Sequence, residues 1–413
     1  MERITVTAGG RGTDFPGFTN VTLQAAVDRA ASLGGGCVIL SEGVYRMRDS
    51  LHLRNCVEIR GQGDLTVLKK EPCKGSATLW YLGYGHYDVS VAHPENFEIG
   101  DGVYITDCEA GGFYATQSTV TYKDGSTLGI AHPLNHDIGC SRHGSVRTLF
   151  PLVKGEFVSD VTVSDLKLDG SAAENERIDG CRGGGVFTVG GARLTFRNLT
   201  VTDYHGDGIS FQQGRDIRVL SCRCIGNRGH GLHPGSGSVN VLIDHCDFSG
   251  NGGDGTFFCL RVDRALFRNN RICGNARAGV SIGHRDFHIG IVDCSFSDNH
   301  DCGILFRNDN LPYMSGAYTY IFGCTFSDLC ENAPHTEIHI PLALTSPEIG
   351  SCTFSSPFIP VYTSAKPDGG HLYNCTQNGA PYTNEDFSPT APAAPFRVNF
   401  AETPSDAFAH LPR

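Results

Sequence analysis

Two aspartates and two histidines recur in this chain at nearly regular spacing. Asp207, His230 and Asp254 each precede a glycine, at intervals of 23 and 24 residues, and His233 lies three residues after His230. Carboxylates and imidazoles are the groups that most often act as general acids and bases. If the chain folds into stacked coils of this length, the four side chains lie on neighbouring coils and form a candidate catalytic group.

The predicted distance between the two carboxylates indicates a reaction class. Coils of parallel strands are about 4.8 Å apart, so Asp207 and Asp254 are expected about 9–10 Å apart at the backbone. Inverting glycosidases place their carboxyl groups about 6.5–9.5 Å apart. Either aspartate alone is also explained by turn formation, because Asp bonds its own backbone. His230 and His233, in a strand position that elsewhere is apolar, favour a ligand-binding surface.

Polar and basic residues follow on the same predicted rim of the coils. Guanidinium groups bind carboxylates and hydroxyls, although their stems also cover apolar surface. On this basis the candidate substrate-binding residues are Arg182, Gln212, Arg261, His284, Arg285, Asp286 and Arg307.

Three series of residues repeat with a period near 24, which is typical of a solenoid. Alternation along each strand then predicts which residues point inward and which point to solvent. A row of small, buried-type residues is Asn198, Cys222, Cys246, Asn270, Cys294, Cys324, Cys352 and Cys375. The other two rows are Asp203, Asn227, Asn251, Asn275 and Asn299, and Gly185, Gly208, Gly231, Gly255, Gly279 and Gly303. The inward row is Val186, Ile209, Leu232, Thr256, Val280 and Ile304, and the outward row is Phe187, Ser210, His233, Phe257, Ser281 and Leu305.

Composition restricts the possible partners. The 413 residues carry a formal charge of −11, which disfavours nucleic acid and anionic membranes. The 17 cysteines include no CxxC pair, and the six at one repeat position are expected as stacked core thiols, which favours a reducing compartment. No metal or cofactor is predicted, because His132 and His136 flank a loop-forming proline rather than lie on a helix. Without a visible signal peptide we expect a cytoplasmic protein, or a secreted one if a leader has been removed.

The repeat divides the chain into four parts. Residues 1–70 hold a lead-in, an amphipathic helix that Asn20 can cap, and the first coils. Residues 71–155 break the period and are expected to be an insertion over the binding face. Coils resume over 156–380, and 381–413 form a Pro- and Ala-rich tail. The predicted fold is all-β, with coils of about 24 residues and a capping helix at the N-terminus.

The segment Leu23–Met47, followed by Leu53-Arg-Asn-Cys-Val-Glu-Ile-Arg-Gly-Gln-Gly63, resembles the entry of right-handed parallel β-helix proteins of the pectate-lyase-like superfamily. The resemblance extends over residues 20–70 and 155–380 and implies that fold. Gly229-His-Gly231 is also similar to the GHG motif of polygalacturonase-type glycoside hydrolases, but the adjacent Asp pair and the RIK motif of that group are absent. The segment His230-Gly-Leu-His-Pro234 resembles a loop of alginate epimerases, without its aspartate.

Three functions fit these residues. The first is hydrolysis of glycosidic bonds in an oligo- or polysaccharide, with Asp207 and Asp254 as acid and base, assisted by His230 and His233. The second is a lyase or epimerase acting on uronic acids, in which Arg side chains neutralise the sugar carboxylate and His233 or His284 removes a proton. The third is a non-catalytic sugar-binding solenoid. The oligomeric state is not predicted.

Overall fold

A computed structural model describes residues 4–308, 316–332 and 334–393. Within these ranges the chain forms an array of short parallel strands and a separate antiparallel sheet. The all-β solenoid predicted from the repeat is confirmed. Residues 394–413 of the predicted tail lie outside the described residues.

The array begins with six strands and one helix. Helix α1 (Asn20–Ser32) buries a stripe of Leu23, Ala26, Val27 and Ala30. Its cap is Thr19 rather than Asn20, because the Thr19 hydroxyl accepts the N–H of Thr22 at 3.3 Å. The strands are β1 (Thr5–Gly9), β2 (Phe15–Pro16), β3 (Gly36–Leu40), β4 (Gly43–Met47), β5 (Leu51–His52) and β6 (Val57–Lys70).

Residues 75–147 form a six-stranded antiparallel sheet, called here the inserted sheet. Its strands are β7 (Gly75–Ala77), β8 (Asp88–Ser90), β9 (Gly102–Thr106), β10 (Thr116–Asp124), β11 (Thr127–Ile130) and β12 (Ser145–Arg147). The inserted sheet has its own apolar core, made of Val89, Val91, Phe97, Val103, Ile105, Ala110, Val120, Leu128, Ile130, Leu134, Ile138 and Val146. Short 3₁₀ turns lie at Pro94–Asn96, Gly112–Tyr114, Cys140–Arg142 and, after the sheet, Ala172–Glu174.

The later coils contain the remaining strands. The first group is β13 (Val153–Glu156), β14 (Ser159–Asp169), β15 (Gly184–Val189), β16 (Ala192–Thr202), β17 (Asp207–Gln212), β18 (Arg215–Leu220), β19 (Arg223–Ile225), β20 (Leu232–Gly235) and β21 (Val239–Asp244). The second is β22 (Asp247–Ser249), β23 (Thr256–Phe257), β24 (Asp263–Arg268), β25 (Arg271–Cys273), β26 (Val280–Ile282), β27 (Phe287–Val292), β28 (Ser295–Ser297) and β29 (Ile304–Phe306). The last is β30 (Tyr320–Phe322), β31 (Thr325–Ser327), β32 (Thr336–Ile340), β33 (Glu348–Gly350), β34 (Thr353–Phe354), β35 (Ile359–Thr363), β36 (His371–Tyr373), β37 (Cys375–Gln377) and β38 (Ala380–Tyr382).

A ten-stranded parallel sheet, the coil face, carries the candidate residues. It runs in the order β5, β13, β15, β17, β20, β23, β26, β29, β32 and β35. The predicted inward row is confirmed, because Val186, Ile209, Leu232, Thr256, Val280 and Ile304 pair in register and are fully buried. This continuous apolar row fixes which side chains of each strand point away from the core.

Two further rows hold successive coils together. Asn227, Asn251, Asn275 and Asn299 are buried, and each side-chain amide donates to the next residue of the row, at 3.1, 3.0, 2.8 and finally 2.6 Å to Asp328. The six cysteines of the other row are buried as expected, and their thiols donate to backbone carbonyls. Asn198 was expected in that row but is exposed, because Arg197 pairs with Leu220 and Asn198 is therefore in register with Ser221, one residue before Cys222.

Candidate functional site

The outward row of the coil face is covered rather than open to solvent. Ser210, His233 and Ser281 are each at most 4% exposed, so the expectation that they face solvent was wrong. Phe257 and Leu305 of the same row are half-buried. Residues 178–183, called here the covering segment, lie across it, and the Gly180 carbonyl accepts the Ser210 hydroxyl at 2.8 Å. Further along, Arg307 donates to the Ser281 hydroxyl at 3.2 Å.

The four predicted catalytic residues do come together. The Asp207 carboxylate accepts the backbone N–H of His230 and bonds the His233 Nδ1 atom, both at 2.7 Å. The His230 Nδ1 atom accepts the backbone N–H of Asp254 at 2.9 Å. Because Nδ1 of His230 is an acceptor, the proton of the neutral ring lies on Nε2. The Asp207 carboxylate therefore orients the His233 ring, and the backbone N–H of Asp254 orients the His230 ring.

The pKa values of the two aspartates in this group shift in opposite directions. Burial opposes ionisation of Asp207, but His230 and the hydrogen bond from His233 outweigh it and hold the pKa of Asp207 below its usual value. Burial raises the pKa of Asp254 above its usual value, although His230 acts against this. Burial also lowers the pKa of His230. These shifts thus favour the ionised form of Asp207 and the neutral form of His230.

Two cysteines complete the buried group around His233. The Sγ atoms of Cys181 and Cys259 and a ring nitrogen of His233 lie within 4.8 Å of one another. Cys181 belongs to the covering segment, whereas Cys259 follows β23 on the coil face. Burial works against protonation of His233, but Asp207 and Cys259 raise its pKa to about 10. The hydrogen bond from Cys181, together with His233, lowers the pKa of Cys259 to about 4.

A cleft of about 390 Å³ lies beside this group, between the inserted sheet and the coil face. Amide, carboxylate, imidazole and guanidinium groups line it together with aromatic rings. The lining residues are Phe113, Ala115, Gln117, His132, Pro133, Asn135, Glu156, Phe157, Cys181, Arg182, Phe187, Val189, Gln212 and Gln213. Cys181 is therefore shared by the cleft and the buried group.

Arg182 fastens the covering segment to the inserted sheet. Its guanidinium donates to the Phe113 carbonyl at 2.6 and 3.2 Å and lies 5.5 Å from the Phe113 ring centre. The Arg182 carbonyl in turn accepts a hydrogen bond from the Gln117 side chain. The candidate Gln212 also lines the cleft, and its amide donates to the Ser210 hydroxyl at 3.3 Å. These contacts shape the wall of the cleft.

Glu156 is the carboxylate that opens into the cleft. Its side chain is 40% exposed and pairs with Lys154 Nζ at 2.9 Å. Burial works to raise the pKa of Glu156, but Lys154, with smaller contributions from His132 and Arg182, lowers it below the usual value. The cleft thus contains an ionised carboxylate with an imidazole and a guanidinium nearby.

The other predicted substrate-binding residues lie outside the cleft. Asp286 is fully buried, and its carboxylate accepts the N–H groups of Val262 and Gly283 at 2.9 Å, so it closes a turn. Arg307 packs over Phe257 at 4.1 Å and donates to the carbonyls of Phe258 and Cys259. The remaining three predicted residues lie in exposed turns with left-handed backbone. They are Arg261, His284 and Arg285.

Four residues of this region carried no assigned role in the sequence. Cys181 and Cys259 fit no short metal or redox motif, because they are far apart in the chain. Cys259 does occupy the outward position in register with Gln212 and Gly235. That position could have identified it from the sequence. Glu156 gave no signal, and His132 was considered only with His136 as a metal pair. The inserted sheet that brings Glu156 and His132 together interrupts the repeat.

Comparison with known proteins agrees with this architecture. The model of a family described as a right-handed beta helix region matches residues 161–259 and 184–338. A solved structure titled "Glycoside hydrolase" has a TM-score of 0.57 at 10% identity, over 91% of this chain and 96% of that one. The chain therefore has the right-handed parallel β-helix fold that its entry segment and repeats predicted.

Two further solved structures share the fold. A hyperthermoactive exopolygalacturonase from Thermotoga maritima has a TM-score of 0.51 at 12% identity, covering 87% of this chain and 88% of that one. The Dettilon tailspike protein (gp208) has a TM-score of 0.51 at 11% identity, covering 91% and 67%. At these identities the similarity concerns the fold alone. No curated protein matches the sequence.

Among the described residues, no helix combines the length and the apolar character needed to cross a bilayer.

Proposed function

We propose that this protein is a carbohydrate-active enzyme that cleaves glycosidic bonds of an oligo- or polysaccharide in the cleft. The observation that carries the proposal is the lining of the cleft, where planar polar side chains alternate with Phe113, Phe157 and Phe187. Binding sites commonly combine apolar walls with a few convergent polar groups. Hydroxyl-rich rings suit such a lining, because their faces pack on aromatic side chains while their hydroxyls bond amides and charged groups.

Glu156 and His132 are the groups that would perform the chemistry. Lys154 keeps Glu156 ionised, so its carboxylate can activate water or attack the sugar. His132 lines the same cleft and can deliver a proton to the leaving oxygen. Arg182 and Gln212 then bind and orient the sugar. Asp207 and Asp254 lie behind His233 and His230, so in this proposal they are positioning residues rather than the acid and base.

A second activity is supported by the position of Arg182. Arg182 and His132 line one cleft, and both contribute to the ionisation of Glu156. In a lyase acting on a uronic acid, Arg182 would neutralise the sugar carboxylate and His132 would remove the adjacent proton. The two activities differ in their products, because elimination leaves an unsaturated sugar and hydrolysis does not.

A panel of neutral and uronic-acid oligosaccharides tests the proposal. Reducing ends and ultraviolet absorption by unsaturated products are measured in parallel on the wild type, Glu156→Gln and His132→Ala. We expect reducing ends without absorption, and a fall of about 10²–10⁴-fold in turnover for either variant, the usual contribution of an acid or base. Arg182→Ala should mainly raise KM, because it removes a binding contact.

Matched controls separate chemistry from folding. Glu42→Gln changes an exposed glutamate far from the cleft and should leave turnover unchanged. Asp207→Asn and His233→Ala test the earlier assignment, since direct catalysis by the buried pair would reduce turnover as strongly as Glu156→Gln. Absorbing products would support the lyase. Sugar binding without any product would leave a binding solenoid and overturn the enzymatic proposal.

A further inference from the structure

The buried group formed by Cys181, His233 and Cys259 has the composition of a metal site. Two thiols and an imidazole nitrogen converge within 4.8 Å. The Nε2 atom of His233 is buried and has no hydrogen-bond partner among the described residues. Buried polar nitrogens are nearly always satisfied, so an orphaned nitrogen facing two sulfurs calls for a ligand. The chemistry proposed above for the cleft does not involve this nitrogen.

The other face of His233 is already arranged as in metal-binding histidines. Its Nδ1 atom bonds the Asp207 carboxylate at 2.7 Å, and the His233 side chain is 5% exposed. A carboxylate that holds one ring nitrogen directs the lone pair of the other nitrogen outward and raises its basicity. In the neutral ring, whose proton lies on Nδ1, Nε2 is then the nitrogen left to bind a metal ion, and the ion displaces the proton that Nε2 carries in the charged ring.

From these contacts we infer that Cys181, Cys259 and His233 bind one Zn²⁺ ion, with Asp207 as the positioning residue behind His233. Two sulfurs and one nitrogen are ligands that zinc prefers, and three protein ligands leave a fourth position for water or a substrate oxygen. Because Cys181 also lines the cleft, the ion would lie at the edge of the cleft. Zinc binds thiolates and neutral imidazole, so binding releases the protons that its ligands still hold.

Only a small adjustment is needed to form the site. Tetrahedral zinc with Zn–S near 2.3 Å and Zn–N near 2.0 Å holds two sulfurs about 3.8 Å apart and a sulfur and a nitrogen about 3.5 Å apart. The present atoms lie within 4.8 Å, so no pair must close by more than about 1.3 Å. Cys181 is on the covering segment between Gly180 and Gly183, where such a shift is possible without moving a strand.

Cobalt substitution tests the inference directly. The full chain is reduced, stripped with a chelator and titrated with Co²⁺ alone, then with Zn²⁺ as competitor. We expect one equivalent of Co²⁺ with a thiolate charge-transfer band, displaced by one equivalent of Zn²⁺. Cys181→Ser, Cys259→Ser and His233→Ala should abolish the band, and Asp207→Asn should weaken binding by about 10–100-fold. Zn²⁺ should also protect Cys181 and Cys259 from alkylation.

A third half-buried cysteine provides the control. Cys273 is half-buried like Cys181 and Cys259, but its thiol lies beside Asp298 on another part of the molecule. Cys273→Ser should leave the band, the stoichiometry and the protection unchanged. A band that survives in folded Cys181→Ser, or no metal uptake by the reduced wild type, would overturn the inference. A Cys181–Cys259 disulfide whose reduction does not restore metal uptake would also overturn the inference. Loss of sugar cleavage alone would bear only on the proposed function.

Discussion

At the scale of single residues, the molecule places its histidines in three different environments. His233 is paired with Asp207, whereas His230 accepts a backbone N–H and faces Phe257 at 4.5 Å between ring centres. Burial lowers the pKa of a third histidine, His205, to about 3, and neither of its ring nitrogens has a hydrogen-bond partner among the described residues. The neighbours therefore decide the charge: they favour the charged ring at His233 and the neutral ring at His230 and His205.

Gly180 is the residue on which the covering segment depends. A Cβ atom at this position would lie 1.8 Å from Asp207 Oδ2 and 2.7 Å from His233 Nδ1. Gly180→Ala should therefore lift the covering segment, lower the free energy of unfolding by about 1–3 kcal/mol and increase the rate of alkylation at Cys181 and Cys259. Denaturant unfolding and mass spectrometry of alkylated peptides measure both effects.

Gly111→Ala is the matched control, because a Cβ there meets nothing within 4 Å. Unchanged alkylation in Gly180→Ala would show that the covering segment does not shield the two thiols.

At the scale of secondary-structure elements, the asparagine row stabilises the turn between successive coils. Each amide bonds the next coil, and the row ends on Asp328, whose carboxylate accepts the Asn299 amide. Glu337 lies next to it and accepts the N–H of Asp328 at 3.3 Å. Burial, and then repulsion from Glu337, raise the pKa of Asp328 well above its usual value, and burial raises that of Glu337.

This carboxyl pair makes stability depend on pH. The folded state binds protons more tightly than the unfolded state, so the free energy of unfolding should fall as pH rises above the ordinary values of 3.8 and 4.5. Asp328→Asn keeps the acceptor for Asn299 and removes one charge. We expect it to stabilise the protein at pH 8 by about 1–3 kcal/mol, and much less at pH 4.

Denaturant unfolding at the two pH values checks this expectation. The reverse change, Asn251→Asp, adds a buried charge within the row and should destabilise the protein more at pH 8 than at pH 4. An equal effect of Asp328→Asn at both pH values would show that the pair is not protonated in the folded state.

The sequence predicted the coils better than it predicted the site, for a physical reason. Register repeats from coil to coil, so Val186, Ile209 and Leu232 could be aligned by counting, and Asp207 was correctly placed beside His230. The covering segment and the cleft arise from contacts between distant parts of the chain, such as that of Gly180 with Ser210. The repeat carries no information about such contacts. For this reason the side chains of the outward row were expected to face solvent.

At the scale of the whole molecule, a repetitive scaffold supports one irregular region. The coil face supplies fixed rows of side chains, and the inserted sheet, with its own apolar core, closes one side of the cleft. The two parts meet at several polar contacts. Arg48 with Asp101 and Asp49 with Thr119 join the inserted sheet to the first coils, whereas Arg182 contacts Phe113 and Gln117 at the cleft itself. The Arg182 contacts should therefore control access to the cleft.

Hydrogen exchange measures this control. The double variant Arg182→Ala with Gln117→Ala should lose amide protection in residues 111–117 and 178–183, because local opening no longer breaks those hydrogen bonds. Protection of the coil strands β17, β20 and β26 should stay at the wild-type level, since their pairing is untouched. KM for any substrate found should rise with the exchange rate.

Arg193→Ala is the control for loss of an arginine, because Arg193 pairs with Asp160 at 2.6 Å on another exposed surface. It should leave exchange in both segments unchanged. If the double variant also exchanged like the wild type, other contacts, such as those of Arg48 with Asp101, would hold the inserted sheet against the coils. The cleft would then have fixed walls, and its substrate would have to enter without any movement of the covering segment.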